Sequence, residues 1–363
     1  MPDLDEVRAR ISAIDDEVVR LAAERLALVA RVAQAKRAAG APIRDRARER
    51  EVLARARDVA ARFGLPPRVA ESIVGALIRS SLVSQERDRV VHAARGAGRR
   101  ALVIGGAGRM GRWMSAFLLS QGYAVTVADP AGAPDGCAHV ADWTAIRPDH
   151  DLVVVAAPLA ASAGILRDLA RARPPGVVFD VGSLKGPLAS GIRALAAAGA
   201  KVTSVHPMFG PDTDLLSGRH VILVDAGVPE ATAEARALFE PTMATLVEMG
   251  LDEHDRLIGW VLGLSHAVAI SFFAALAGSG EPASRLARLS STTFQAQIEV
   301  SRRVASENPH LYYEIQRMNP HGLAPLRALA DAVAALLGDV SGGDERSFVT
   351  RMEQGRAWLE DLP

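Results

Sequence analysis

The sequence predicts a multidomain chain: a helical module first, then an α/β domain built on a parallel sheet, then an all-helical C-terminal portion. Three observations predict it. From residue 4 to 92, apolar residues recur at three- and four-residue steps with no strand pattern. From 100 to 250, short runs of Val, Ile, Leu and Ala alternate with helical stretches, as a parallel sheet with crossover helices requires. From 251 onward only helical periodicity is left. The expected domains are therefore 1–92, 99–250 and 251–363, joined first by His92-Ala93-Ala94-Arg95-Gly96-Ala97-Gly98.

Composition narrows the class of function. The 363 residues, 49% of them hydrophobic, supply enough apolar surface for several cores. Basic and acidic residues number 42 each, so the net charge is zero, which argues against a general nucleic-acid or anionic-membrane binder. The single cysteine, Cys137, excludes an internal disulfide. No signal peptide and no bilayer-spanning run is read, and a cytoplasmic protein without a metal site is expected.

In the first helix, Leu4, Val7, Ile11, Ile14, Val18, Leu21, Leu28, Val32 and Ala35 form a coiled-coil-like seam. Arg25 stands where that seam calls for an apolar residue, and a guanidinium there is costly unless an anion or carboxylate meets it. Ala39-Gly40-Ala41-Pro42 ends the helix, a second begins near the N-cap candidate Asp45 and runs to about Arg62, and Gly64-Leu65-Pro66-Pro67 precedes a third that carries Val69, Ile73, Leu77, Ile78 and Leu82.

The central domain opens on a strand, Ala101 to Ile104, that feeds Gly106-Ala107-Gly108-Arg109-Met110-Gly111 and then a helical sequence. This is the dinucleotide fingerprint in its required context: Gly106 for the tight turn, Gly108 for the approach of a pyrophosphate, Gly111 for helix–strand packing, with Arg109 and Met110 between them. A second strand, Ala124 to Ala128, ends on Asp129, where a carboxylate holds a ribose 2′-hydroxyl and repels a 2′-phosphate, so NAD is expected rather than NADP. Later strands end near Pro158, at Ser183 and Lys185, and at His206-Pro207-Met208-Phe209-Gly210-Pro211-Asp212. Ligands of a parallel sheet bind at such strand ends, so Pro158, Ser183, Lys185 and His206 are expected to gather near the nicotinamide; His206, just after a strand and before a proline, reads equally as a turn residue and as a proton acceptor at neutral pH. Val221 to Val224 adds a strand, and the α/β portion closes around Met249. Helices are then expected at 253–277, 284–305, 309–318, 320–337 and 344–360.

These residues carry two resemblances. Residues 4–88 resemble the all-helical class of chorismate mutase, through Arg8, Arg25 and Lys36 on the first helix, Asp45, Arg48 and Glu49 on the second, and Ser81 and Gln85 on the third. That resemblance implies that all eight contact substrate in an intertwined dimer whose long helix lends Arg8 to the other subunit's site. Arg8, Arg25 and Arg48 would clamp carboxylates, Lys36 and Gln85 would donate to the breaking ether oxygen, and Glu49 would accept the ring hydroxyl. A Claisen rearrangement needs no more than this, a dianion held folded with its developing charge stabilised.

Residues 100–355 resemble prephenate dehydrogenase, especially the branch fused to chorismate mutase, through the intact HPMFGPD at 206–212. The resemblance implies that His206 takes the proton of the C4 hydroxyl as hydride leaves that carbon and CO2 departs, with Ser183 orienting the imidazole or substrate and Lys185 near the anions. It also implies C-terminal helices that form a dimer interface, and thus a homodimer acting on a small dicarboxylate. The fold class is then a chorismate-mutase-like three-helix module, a Rossmann domain and an all-α dimerisation domain. His254-Asp255 matches a family motif, although a first-turn acid also complements the helix dipole. His266, expected mid-helix on an apolar face, reads first as a satisfied core histidine and second as a substrate contact.

One position departs from the family. Where the family has an arginine for the ring carboxylate, this chain reads Leu289-Ser290-Ser291-Thr292-Thr293-Phe294-Gln295. Gln295 keeps hydrogen bonding and loses the charge and the fork, unless Arg302 or Arg303 substitutes. The exchange also suits 4-amino-4-deoxyprephenate, whose C4 amine is cationic, an oxidation that enzymes resembling this family perform on the way to 4-aminophenylalanine and antibiotics. Ordinary prephenate is the first expectation. A regulatory helical module and an unrelated NAD-dependent redox enzyme are the competing readings.

Overall fold

The computed structural model describes residues 3–362, and the chain divides into two compact units. The first unit comprises residues up to 157, 168–181 and 195–248; the second comprises 158–167, 182–194 and 249 onward.

The first unit begins with α1 (Leu4–Ala38), α2 (Arg46–Arg62) and α3 (Pro67–His92). Each start has a local cause. Asp3 and Asp45 cap α1 and α2 by accepting from the Asp5 and Arg48 amides, and a proline opens α3 where no amide partner is lost. Val29, Ala33, Ala60, Ala70, Leu82 and Val90 are buried, whereas most of the α1 seam faces outward: Ile11, Ile14, Val18 and Leu21 are 50–53% exposed. The periodicity is real, but none of the described residues covers that stripe.

The sheet is ordered β3-β2-β1-β4-β5-β6-β7-β8, from β1 (Arg100–Ile104), β2 (Ala124–Ala128), β3 (Ala138–Val140), β4 (Leu152–Val155), β5 (Val177–Asp180), β6 (Val202–Pro207), β7 (His220–Asp225) and β8 (Thr245–Gly250). Strands β1 to β6 run parallel, and β7 pairs antiparallel with β6. The central strands are buried on both faces, which is why they read as continuous apolar runs. Helices α4 (Arg109–Ser120) and α7 (Pro229–Phe239) cover the sheet through Met114, Leu118, Ala231 and Ala235, and Phe117 stacks on Trp113 at 5.1 Å and on Phe239 at 5.2 Å. Val90 of α3 joins the same core, so the helical module and the sheet share one hydrophobic cluster. The linker is correspondingly pinned: a Cβ on Gly96 would lie 2.6 Å from the Tyr123 amide nitrogen.

α5 (Leu159–Ala172) and α6 (Ala189–Ala197) run between the strands. The second unit holds α8 (Leu251–Ile258), a π-helical segment (Gly259–Leu264), α9 (Ser265–Gly278), α10 (Ala283–Arg288), α11 (Thr292–Ala305), α12 (Pro309–Met318), α13 (Leu323–Gly342) and α14 (Glu345–Glu360). Two expected helices are broken. The one at 253–277 carries the π segment, whose Gly263 carbonyl accepts from Gln316 Nε2 at 2.8 Å. The one at 284–305 stops at Arg288 because Ser291 caps a new helix by accepting from the Phe294 amide. The expectation of no membrane-length run is also corrected: Leu251–Gly278 is long and apolar enough by length and composition. Its charged first turns disguise it in the sequence, and they hold buried His254 and Asp255.

Candidate active sites

The nucleotide cradle lies in the first unit, between β1 and α4. Gly105, which precedes the fingerprint, makes the tight turn: its φ is +84°, and a Cβ there would lie 2.6 Å from the Ala157 amide nitrogen. That corrects the role expected of Gly106, whose hydrogen is required because a Cβ would strike Val127 Cγ1 at 2.6 Å. Gly111 cannot carry a side chain either, since its Cβ would lie 2.2 Å from the Gly105 carbonyl oxygen. Gly108 is exposed and caps α4, and a Cβ there would meet only the Gly105 carbonyl, at 3.3 Å. The cradle thus offers an open face at Gly108 and the N-terminus of α4, which fits a pyrophosphate. Asp129 follows β2 and accepts from the Ala107 amide at 3.1 Å and the Ala131 amide at 2.9 Å, so the acid stands against the fingerprint turn. Arg109 pairs with Asp212 at 2.7 Å, and Met110 packs against the core.

His206 belongs to this unit too. It lies within β6 rather than just after a strand, opposite Ile222 of β7, and is 3% exposed. Its segment is fastened to α4: Phe209 meets Trp113 edge-on at 5.0 Å, and Trp113 Nε1 donates to the Thr213 carbonyl at 3.1 Å. With the Arg109–Asp212 pair, the structure therefore brings HPMFGPD and the fingerprint helix together. Sequence reading missed Asp180, fully buried at the end of β5, whose carboxylate accepts from Ser204 of β6.

Pro158, Ser183, Lys185, His266, Gln295 and Arg303 belong to the second unit. Exposed Pro158 starts α5, its carbonyl accepting from the Ala161 and Ser162 amides. Ser183 is half-buried and Lys185 is fully buried, donating from Nζ to the Gly182 carbonyl at 2.6 Å. Their loop is organised by Asp255, which accepts from the Lys185 amide at 2.8 Å, the Gly186 amide at 2.6 Å and His254 Nδ1 at 2.7 Å. Burial pushes the Asp255 carboxyl up, but the His254 hydrogen bond and the two amides outweigh it, so its pKa falls below the usual value. The charge-complementing role read for a first-turn acid thus gives way to a specific loop-holding one.

His266 follows the π segment and stacks on Tyr312 at 4.3 Å. Its Nδ1 is buried with no hydrogen-bond partner, so it is not a satisfied core histidine, and burial lowers its pKa to about 4. Gln295 lines a cavity of about 1060 Å³ with Phe273, Leu276, Leu286 and Arg302. Arg302, rather than exposed Arg303, shares that cavity: one helical step turns Arg303 away from the Gln295 face.

In the helical module a cavity of about 540 Å³ is lined by Lys36, Arg37, Ile43, Gln85, Asp88 and Arg89, among others. Gln85 Nε2 donates to the Ser81 carbonyl at 3.2 Å, while its buried Oε1 has no partner. Lys36 Nζ donates to the Ile43 carbonyl. Arg25 finds neutral partners rather than an anion, donating to buried Ser81 Oγ at 2.8 Å and the Leu77 carbonyl at 3.1 Å. Asp45 acts as a cap. Arg8 and Arg48 are exposed and pair with Asp5 and Glu51. Glu49 is held by Arg44 through two 3.0 Å hydrogen bonds, a partner that sequence reading missed.

Comparison with known proteins follows the same division. Residues 7–86 match the family model for chorismate mutase type II, 131–248 the nucleotide-binding domain of prephenate dehydrogenase, and 251–354 its dimerization domain. The T-protein of Enterobacter agglomerans is 26% identical over 360 residues, covering 99% of this chain and 94% of its own. The 4-amino-4-deoxyprephenate dehydrogenase of Streptomyces pristinaespiralis is 32% identical over 274 residues, 72% of this chain and 91% of its own. Among solved structures, prephenate dehydrogenase from A. aeolicus in complex with hydroxyphenyl propionate and NAD+ shares the fold over 72% of this chain and 98% of its own, with a TM-score of 0.59 at 19% identity.

Proposed function

The chain belongs to the prephenate dehydrogenase family and carries a type II chorismate mutase domain, and from that premise we propose that it is a bifunctional enzyme that rearranges chorismate to prephenate and oxidatively decarboxylates prephenate to 4-hydroxyphenylpyruvate with NAD, in tyrosine biosynthesis. The observation that carries it is the fastening of the HPMFGPD segment onto the fingerprint helix by Phe209, Thr213 and Asp212. Beside it stands Gln85, which lines the same cavity as Lys36.

In the mutase half the work is positioning and charge. Lys36 and Gln85 donate to the ether oxygen, Arg25 and Arg48 hold carboxylates, and Glu49 accepts the ring hydroxyl. Arg8 and Lys36 are about 40 Å apart along α1, so the Arg8 needed at this site comes from a second copy. The exposed seam of α1 supports that homodimer.

In the dehydrogenase half the fingerprint turn, Asp129 and the start of α4 hold the dinucleotide. NAD, when bound, supplies the hydride acceptor. His206 takes the proton from the C4 hydroxyl, Ser183 and Lys185 orient the substrate and its anions, and aromatisation of the ring drives loss of the carboxylate. The single thiol of Cys137 suits the reducing cytoplasm, where the reaction is placed.

The test is incubation with chorismate and NAD, following NADH, in the wild type and in His206→Asn. NADH should form from both chorismate and prephenate, and the variant should lose about a hundredfold or more in kcat while its mutase rate stays within twofold. A wild type inactive on both chorismate and its 4-amino analogue, or a fully active variant, overturns the reading.

Gln295 favours a second reading. Without an arginine there, a substrate with a cationic C4 amine meets less repulsion, which points to 4-amino-4-deoxyprephenate and an antibiotic pathway. The 32% identity to a dehydrogenase of that substrate supports it. The same assay run with the amino analogue decides between the two.

A further inference from the structure

The connector between α1 and α2 does more than turn the chain. Three consecutive residues each hold one expected mutase residue: the Ile43 carbonyl accepts from Lys36 Nζ, the Arg44 guanidinium grips Glu49, and the Asp45 carboxylate accepts from the Arg48 amide. Arg44 is the unusual member. Its Nε and Nη2 donate to the two oxygens of Glu49, each at 3.0 Å, in the planar fork that fixes a carboxylate's orientation. Its remaining nitrogen, Nη1, donates at 2.8 Å to Ser217 Oγ. Ser217 lies five residues beyond the HPMFGPD segment, so the guanidinium is anchored by the dehydrogenase half of the chain.

That segment is itself held by hydrogen bonds and ion pairs. Arg109 and Trp113 hold Asp212 and Thr213, Arg87 of α3 reaches Asp214 at 3.2 Å, and the Leu216 amide donates to buried Glu86 at 2.9 Å. Glu86 also accepts from the Met243 amide at 2.6 Å. Ser217 is therefore a fixed point against which Arg44 can hold Glu49.

We infer that Arg44, braced by Ser217, is a positioning residue for the mutase reaction: it fixes the plane and rotamer of Glu49, leaving the outer lone pairs of that carboxylate for the substrate's ring hydroxyl. A carboxylate accepts at about four lone-pair sites, and the fork takes two. Without the fork, Glu49 has three free torsions and presents the right geometry only part of the time. The inference rests on the mutase reading above and adds a residue that the resemblance does not include.

The test uses the full-length chain, with chorismate consumption as the mutase assay and thermal melting alongside. Arg44→Ala should lower kcat about tenfold with KM changed by about twofold or less, since it misplaces a group acting in the transition state. Arg44→Lys should recover part of the loss, and millimolar guanidinium added to Arg44→Ala should recover part as well. Ser217→Ala should cost about two- to threefold. The deciding comparison is made in a Glu49→Gln background, where Arg44→Ala should add less than about twofold, because its effect passes through Glu49.

An Arg44→Ala protein with kcat within twofold of wild type overturns the inference, as does a full tenfold loss repeated on top of Glu49→Gln. Should Arg44→Ala melt below the assay temperature, Arg44→Lys with and without Glu49→Gln supplies the same comparison. Failure of the mutase reading itself looks different: a wild type that does not consume chorismate, or a Glu49→Gln variant with full activity.

Discussion

Gly111 and Gly105 touch at the tightest point of the nucleotide cradle, and neither contact tolerates a methyl group. Helix α4 starts so close to the turn that the Cβ of an alanine at 111 would fall 2.2 Å from the Gly105 carbonyl oxygen, with Gly106 Cα at 2.7 Å. Both neighbours are backbone, so the strain cannot be relieved by a rotamer change; α4 must move away from β1. Gly111→Ala should therefore weaken NAD binding at least about tenfold in a fluorescence titration, while the mutase rate falls by no more than the about two- to threefold expected of Ser217→Ala, because α4 bears on Glu49 only through the segment that carries Ser217. Gly108→Ala should be much milder in the free protein, since only one atom, at 3.3 Å, opposes it. The contrast separates two glycines that look equivalent in the fingerprint.

At the scale of elements, Asp255 of α8 fixes the loop that carries Ser183 and Lys185. One carboxylate satisfies two amides and a histidine nitrogen in a nearly water-free setting, where an unpaired donor costs about 1–3 kcal/mol. Asp255→Ala should destabilise the fold by about 3 kcal/mol, read by denaturant unfolding. Its pH dependence has a definite sign. The folded pKa lies below the usual aspartate value, so the contribution is fully present above that usual value and is lost as pH falls through the folded pKa. Between pH 7 and pH 5 the difference in stability between wild type and Asp255→Ala should stay constant, shrinking only in stronger acid. A difference that already shrinks near pH 6 would assign the stabilisation to the neighbouring imidazole instead.

For the molecule as a whole, the outward seam of α1 is an unfinished feature. A helix of 35 residues with Ile11, Ile14, Val18 and Leu21 half exposed leaves an apolar stripe that a second copy covers in the proposed homodimer. Ile14→Asp places a charge in that stripe and should reduce mutase activity about tenfold or more, by removing the partner subunit's Arg8 from each site. Dehydrogenase activity on supplied prephenate should stay within about twofold, because the nucleotide cradle and His206 lie on other elements. Unchanged mutase activity would mean that the stripe covers no catalytic interface.

The sequence by itself determined the helical and strand periods, the cap at Asp45 and the glycine fingerprint, because each is written within a few residues of itself. It also located Lys36 and Gln85, 49 positions apart, although only through resemblance; the fold places both on one cavity. What only the tertiary structure decided are the partnerships of long sequence separation: Arg44 with Ser217, Glu86 with Leu216 and Met243, Asp255 with Lys185 and Gly186. No local pattern announces these, since a buried carboxylate chooses its donors from whatever backbone the fold brings beside it. The π segment and the break at Ser291 belong to the same class, where packing and a single cap override a helical period that runs on unbroken in the chain.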